Sequence, residues 1–166
     1  MLPLLLAVAL AAPWRHPVSF SPLAGWRTGA SGTTRSTYVG RPRPATPPVE
    51  STAWAAKNVR YRDEATADPP NRTLARLPAN GVIVWAVIFS PPQAGDKPIR
   101  LVLGRAKHFA CCEGEQVVGG EYELTGSASD RAYSVIVRIY FGSRPSKELR
   151  ADAQLALTQL RLPERR

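Results

Sequence analysis

The chain has 166 residues, so its length predicts a single domain, and a core of useful size can form only if most of the chain folds. It carries 22 basic and 13 acidic residues, a net charge of +9. The basic residues are overwhelmingly Arg, and Ala and Pro are abundant, as in proteins of GC-rich genomes, so charge alone does not exclude any class of function.

Residues 1–12 predict the apolar region of a secretory signal peptide. The run from Leu2 to Ala12 has eleven residues, and a helix of that length spans about 16 Å of a bilayer core of about 30 Å, which excludes a transmembrane helix. The stretch Ala9-Leu10-Ala11 has the small-x-small pattern of a cleavage site. No Lys or Arg precedes the run, which is unusual for a signal, and no cysteine follows it, which excludes lipidation. We expect an exported protein.

Residues 13–52 predict a poorly ordered, basic tether rich in Pro, Gly and Ser. The stretch RPRPATPP (41–48) predicts an extended polyproline-like chain in which Arg41 and Arg43 are candidate contacts to anions. Ten basic and four acidic residues occur up to residue 80, against twelve and nine after it, so most of the excess charge lies in this half. Three aromatic side chains in the tether are expected to pack on the domain or to be incidental: Trp14, Phe20 and Trp26.

Residues 53–163 predict the folded domain. The stretch VIVWAVIF (82–89) is apolar at every position, which predicts a central strand covered on both faces. IRLVLGRAKHF (99–109) alternates, with its apolar residues on one face and two arginines towards solvent, and Gly119-Gly120 predicts a two-residue hairpin turn. RAYSVIVRIYFG (131–142) alternates cleanly and predicts a strand with one buried face.

The last segment predicts a helix. Ser146 is the expected N-cap, and Pro163 ends the element. The apolar residues recur at helical spacing: Leu149, Ala153, Ala156, Leu157 and Leu160. The resulting fold class is α+β, an antiparallel β-meander with a C-terminal helix packed on one face, preceded by a poorly ordered N-terminal region.

The patterning of the last half of the chain resembles a group of small exported or envelope-associated α+β domains of high-GC bacteria that has no assigned function. The stretches that carry this resemblance are VIVWAVIF, YSVIVRIYFG and ADAQLALTQLRLP. The resemblance implies a fold and a compartment, and it implies no site residues.

The stretch HFACCEGE (108–115) is the most chemically distinctive in the chain. A tetrahedral zinc site needs four spaced ligands, and the second ligand pair is missing, so we predict no metal site and no cofactor. Adjacent Cα atoms lie about 3.8 Å apart, below the usual disulfide range of about 4.4–6.8 Å, so a bond between Cys111 and Cys112 would be strained and labile. A vicinal disulfide and two separate thiols both remain open.

Familiar catalytic patterns are absent from the sequence: G-x-S-x-G, G-x-x-x-x-G-K-[ST], G-x-G-x-x-G and H-E-x-x-H. We therefore predict no enzyme and no catalytic residue. A basic ridge of Arg144, Lys147 and Arg150, together with the C-terminal Arg161, Arg165 and Arg166, is a candidate contact to anions, although Glu148 and Asp152 are interleaved with it.

These patterns together favour a non-enzymatic binding domain that is secreted or held at the cell envelope. Its expected partner is an anionic envelope polymer or lipid surface, reached through the basic tether. The alternative is a cytosolic, basic protein associated with nucleic acid, which predicts reduced thiols and an affinity that falls steeply with salt. A thiol-dependent redox or metal protein is a third interpretation, in which Cys111→Ser or Cys112→Ser abolishes function without unfolding the domain.

Overall fold

The structure is a computed structural model, and it describes residues 17–30, 34–35, 49–61, 71–90, 92, 95–108, 120–129 and 133–163. The strands are β1 (Ser19–Phe20), β2 (Arg27–Ala30), β3 (Thr34–Arg35), β4 (Val49–Lys57), β5 (Val82–Ser90), β6 (Lys107–His108), β7 (Glu121–Ser127), β8 (Ser134–Phe141) and β9 (Leu160–Arg161). The helices are α1 (Asn71–Leu74) and α2 (Lys147–Thr158), and a 3-10 turn spans Leu103–Arg105.

An antiparallel seven-stranded sheet with one long C-terminal helix confirms the predicted α+β class. The strand order is β2-β4-β5-β8-β7-β6, β3 also pairs with β4, and β1 and β9 form a separate two-stranded pair. Neighbours in the sheet are neighbours in sequence along β6-β7-β8, whereas the chain crosses from the central β5 to the far edge before it enters β6. The strands β5 and β8 are therefore at the centre of the sheet.

The central strand β5 confirms the interpretation of its uninterrupted apolar sequence. Its residues from Val82 to Ile88 are all buried. Successive side chains of a strand point to opposite faces, so Val84 and Ile88 pack on the face covered by α2, while Ile83 and Trp85 pack on the opposite face. We call these the helix face and the second face.

The alternating apolar residues of β8 and the apolar stripe of α2 meet on the helix face, as predicted, although α2 ends at Thr158 and Leu160 of the predicted stripe lies in β9. Val135, Val137, Ile139 and Phe141 are fully buried there with Ala153, Ala156 and Leu157 of the helix. The hydroxyl of Ser146 accepts a hydrogen bond from the backbone N–H of Leu149 at 3.1 Å, which confirms Ser146 as the N-cap. Burial of these side chains contributes about 1.5–3 kcal/mol for each large one.

The predicted tether needs a correction at its boundaries. Residues 17–30 contain β1 and β2, and the strand β4 begins within the range given to the tether, at Val49. Val18 and Phe20 are buried in the core of the helix face, and Trp26 packs against it. The segment is ordered despite its Gly- and Ser-rich composition, because the free energy gained by burying these apolar side chains offsets the entropy cost of ordering the backbone.

The segment that was expected to be extended over 99–109 has a different backbone. It contains the 3-10 turn and the two-residue β6. Its side chains nevertheless lie as the alternation predicted, with Ile99, Leu101 and Leu103 packed against the core and Arg100 and Arg105 exposed. Residues 111–119, which include the first half of the predicted hairpin, lie outside the described residues, while Gly120 has the positive φ of +116° that suits a turn.

Candidate functional site

The predicted basic ridge at the start of α2 is divided in the structure. Arg144 and Lys147 are exposed. The guanidinium of Arg150 lies over the rings of Phe141 and Tyr122, with its Cζ 5.0 Å and 5.8 Å from their centroids. This cation–π packing gives Arg150 a structural contact of its own, so it is less available to an anion than the other two.

The other predicted site residues cannot be placed. Arg41, Arg43, Cys111 and Cys112 lie outside the described residues. His108, which precedes the cysteine pair, is exposed at the end of β6 and contacts the ring of Tyr122 edge-on, with 5.7 Å between centroids. In the part of the chain that is described, no group of three His, Cys, Asp or Glu side chains is arranged to hold a metal ion.

A polar pair lies among the apolar side chains of the second face. Arg138 on β8 donates a hydrogen bond from Nε to Oε2 of Glu123 on β7 at 3.0 Å. The same guanidinium lies over the ring of Trp85, with 5.9 Å between Cζ and the centroid. Burial disfavours the charge on Arg138, yet the hydrogen bond to Glu123 and the neighbouring charges keep the pKa of the guanidinium above its ordinary value. The guanidinium of Arg138 therefore keeps its positive charge in this partly buried position.

Tyr140 and Glu121 form a second polar group beside this pair. Their Cα atoms are cross-strand partners, and both residues are buried. Burial, with the nearby carboxylate of Glu121, raises the pKa of the Tyr140 phenol well above its ordinary value. The hydroxyl makes no hydrogen bond of acceptable geometry to any residue of the described chain. Tyr140 therefore stays protonated and supplies no general base.

Aromatic rings cover one end of the second face. Trp54 on β4 stacks on Tyr61, with 3.9 Å between centroids and 16° between ring planes. A Cβ at Gly29 would lie 2.6 Å from the Trp54 ring, so the glycine allows the indole to lie flat on β2. These contacts use the rings for packing.

Two concave regions lie at opposite edges of the sheet. One, of about 470 Å³, is lined by Gly25, Arg27, Ala56, Asn58, Val59 and Arg60. The other, of about 540 Å³, lies where the segment 97–107 departs from β7, next to the edge strand β6, and we call it the basic groove. Its lining residues are Lys97, Pro98, Ile99, Arg100, Arg105, Lys107, Glu123, Leu124 and Thr125.

The basic groove escaped the sequence analysis because its cations are spread over eleven positions. Lys97, Arg100, Arg105 and Lys107 follow no regular spacing, and the 3-10 turn that gathers them was not predicted. The only signal in the sequence was the position of Arg100 and Arg105 on the solvent side of the predicted alternation.

Comparison of the chain with protein-family models, with curated proteins and with solved structures finds no match. Within the described ranges, no helix has the length and apolar character needed to cross a membrane. The fold and the charged edge define a small α+β domain with a cationic groove.

Proposed function

We propose that this chain is a non-enzymatic binding domain that is exported and associates with an anionic component of the cell envelope. The observation that carries the proposal is that acidic side chains at the surface are held in ion pairs whereas exposed basic side chains remain outside these pairs. Two acids that could neutralise the surface are already engaged, Asp152 by Lys57 and Glu123 by Arg138. Exposed Lys and Arg side chains that are outside these ion pairs remain in the basic groove.

Polar groups that often serve in catalysis have structural partners instead. The hydroxyl of Ser134 donates to Oδ2 of Asp96 at 2.5 Å, which ties β8 to the loop before the basic groove. The hydroxyl of Tyr133 donates to the backbone carbonyl of Pro163 at 2.6 Å and fixes the chain beyond β9. This use of hydroxyls in holding the fold together favours binding over chemistry.

Export is supported by the apolar run and the small-x-small pattern in residues 1–12, features of the sequence alone. The test is the intact mass of the protein from its own host, measured for each cell fraction with and without thiol alkylation. We expect a chain that begins near Ala12 and is found outside the cytoplasm.

The same measurement separates the two functions. Alkylation that is blocked until reduction, in a monomeric chain, would establish the vicinal disulfide between Cys111 and Cys112 that an oxidising compartment favours. A full-length cytoplasmic chain with two freely alkylated thiols would contradict the proposal and would favour the nucleic-acid-associated alternative.

A further inference from the structure

The basic groove has a defined construction at the edge of the sheet. The segment that carries its cations is attached to β7 at two places, and between them it departs from the strand. At one end Lys97 and Ile99 exchange backbone hydrogen bonds with Ser127, both at 2.9 Å. At the other end Lys107 is the cross-strand partner of Glu123. Thr125 lies between the two attachments and lines the groove.

A glycine and a glutamine hold the segment in place. A Cβ at Gly126 would lie 2.5 Å from the carbonyl oxygen of Lys97, so only glycine allows this close approach. Gln154 of α2 accepts a hydrogen bond from the N–H of Leu103 at 2.8 Å and donates one to the carbonyl of Leu101 at 3.2 Å. The cations are therefore presented by a backbone that is already ordered, which lowers the entropy cost of binding.

The charge of the groove is strongly positive. All four cations are exposed, and no ion pair within the described ranges involves any of them. The one carboxylate among the described lining residues, that of Glu123, is held by Arg138. Four unpaired positive charges around one concave surface attract an anion of matching multiplicity, and guanidinium groups suit phosphate oxygens because they donate two parallel hydrogen bonds.

The shape and chemistry of the lining favour a chain of phosphates without bases. The cations occur along the length of the segment, which suits successive charges of a polymer. No aromatic ring is among the described lining residues, whereas proteins that bind single-stranded nucleic acid use aromatic rings as stacking platforms. The concave region at the opposite edge has only two cations among its described lining residues, Arg27 and Arg60, and is the weaker candidate.

We propose that the basic groove binds a phosphodiester polymer of the cell envelope, with Lys97, Arg100, Arg105 and Lys107 contacting successive phosphates. This inference rests on the proposed function, and it moves the binding surface from the tether and the start of α2 to the edge of the sheet.

The test is to measure the affinity of the full chain for a synthetic glycerol phosphate polymer. Isothermal titration calorimetry gives this affinity at several salt concentrations. Three double variants remove the same charge from different places: Arg100→Gln/Arg105→Gln in the groove, Arg144→Gln/Lys147→Gln at the start of α2, and Arg41→Gln/Arg43→Gln in the predicted tether. Thermal unfolding of each variant checks that it folds, and Lys97→Gln/Lys107→Gln provides a second groove variant.

We expect the groove variants alone to weaken binding. If counterion release follows the behaviour of single-stranded nucleic acid, each phosphate contact contributes about −0.7 to the slope of log K against log salt concentration. Removing two contacts should therefore make this slope shallower by about 1.4 and lower the affinity roughly 20-fold at about 0.1 M salt. The other two double variants should keep the affinity and the slope of the original chain.

The other results overturn the inference in distinguishable ways. Loss of binding in the α2 or tether variant, with the groove variants intact, would remove the groove and leave the proposed function standing. Tighter groove-dependent binding to an oligonucleotide of equal phosphate number, or to anionic vesicles, would contradict the ligand class. A chain that binds none of these probes and is found full-length in the cytoplasm would contradict both proposals.

Discussion

Arg138 and Glu123 face each other across β8 and β7, joined by a 3.0 Å hydrogen bond on the second face of the sheet. Both side chains are largely buried, at 16% and 18% exposure. Removing one partner leaves the other charge buried without its counterpart, which costs more than removing both.

The pair can be tested by a double-mutant cycle. We expect Glu123→Gln and Arg138→Met each to lower the free energy of unfolding by about 2 kcal/mol. The double variant should lose less than the sum, because it leaves no unpaired charge. Urea unfolding of the four proteins measures the coupling, and strictly additive losses would mean that the two side chains do not act together.

Two buried tyrosines, Tyr133 just before β8 and Tyr140 on β8, differ in the hydrogen bonding of their hydroxyl groups. Tyr133 donates to the Pro163 carbonyl, whereas the Tyr140 hydroxyl makes no such bond within the described chain. We expect Tyr133→Phe to cost about 1 kcal/mol and Tyr140→Phe to be neutral or stabilising, because it removes a buried polar group that is not satisfied. Thermal unfolding of the matched pair decides this, and an equal loss in both would contradict it.

Gly142 lies against the turn that precedes β5. A Cβ at this position would lie 1.8 Å from the carbonyl oxygen of Pro78, which is backbone and cannot swing aside. We expect Gly142→Ala to destabilise the protein by about 3 kcal/mol, as overpacking does at its severe end. Gly104→Ala is the control, because nothing lies within 4 Å of a Cβ there, and it should leave the midpoint of thermal unfolding nearly unchanged.

Glu148 in the first turn of α2 makes the free energy of unfolding depend on pH in the acid range. Hydrogen bonding to its backbone N–H and to the Ser146 hydroxyl lowers the pKa of Glu148 from its ordinary value of 4.5. A lowered folded-state pKa gives stability that is complete above the unfolded pKa and is lost as pH falls through the folded one. We expect Glu148→Gln to flatten the pH dependence of unfolding on this acid limb only, as measured by urea unfolding at several pH values. A change confined to neutral pH would contradict the assignment.

Much of the domain core follows from patterning that is local in sequence. The apolar run of β5, the alternation of β8 and the stripe of α2 each repeat at the period of their element, so the sequence predicts them and the faces they bury. Ser146 was found as the N-cap because its signature lies within four residues.

The missed elements depend on contacts between distant residues. The strand β4 reads VESTAWAAK, with small side chains in place of a strong apolar alternation, and it is recognisable only beside β5. β1 pairs with β9 across most of the chain, and no local pattern reports such a pairing.

The basic groove was missed for the same reason. Its path depends on Gln154 of α2 and on Ser127 of β7, which lie well beyond the segment in sequence.

The pairing of β1 with β9 has a mechanical consequence. Ser19 pairs with Arg161 and Phe20 with Leu160 in antiparallel register, so the two ends of the described domain leave the fold side by side. A force applied between residues 17 and 163 would break the hydrogen bonds between these two strands one after another. A domain held by both ends would yield first at the pair of β1 and β9, exposing Val18 and Phe20, before the longer ladder between β5 and β8 separates.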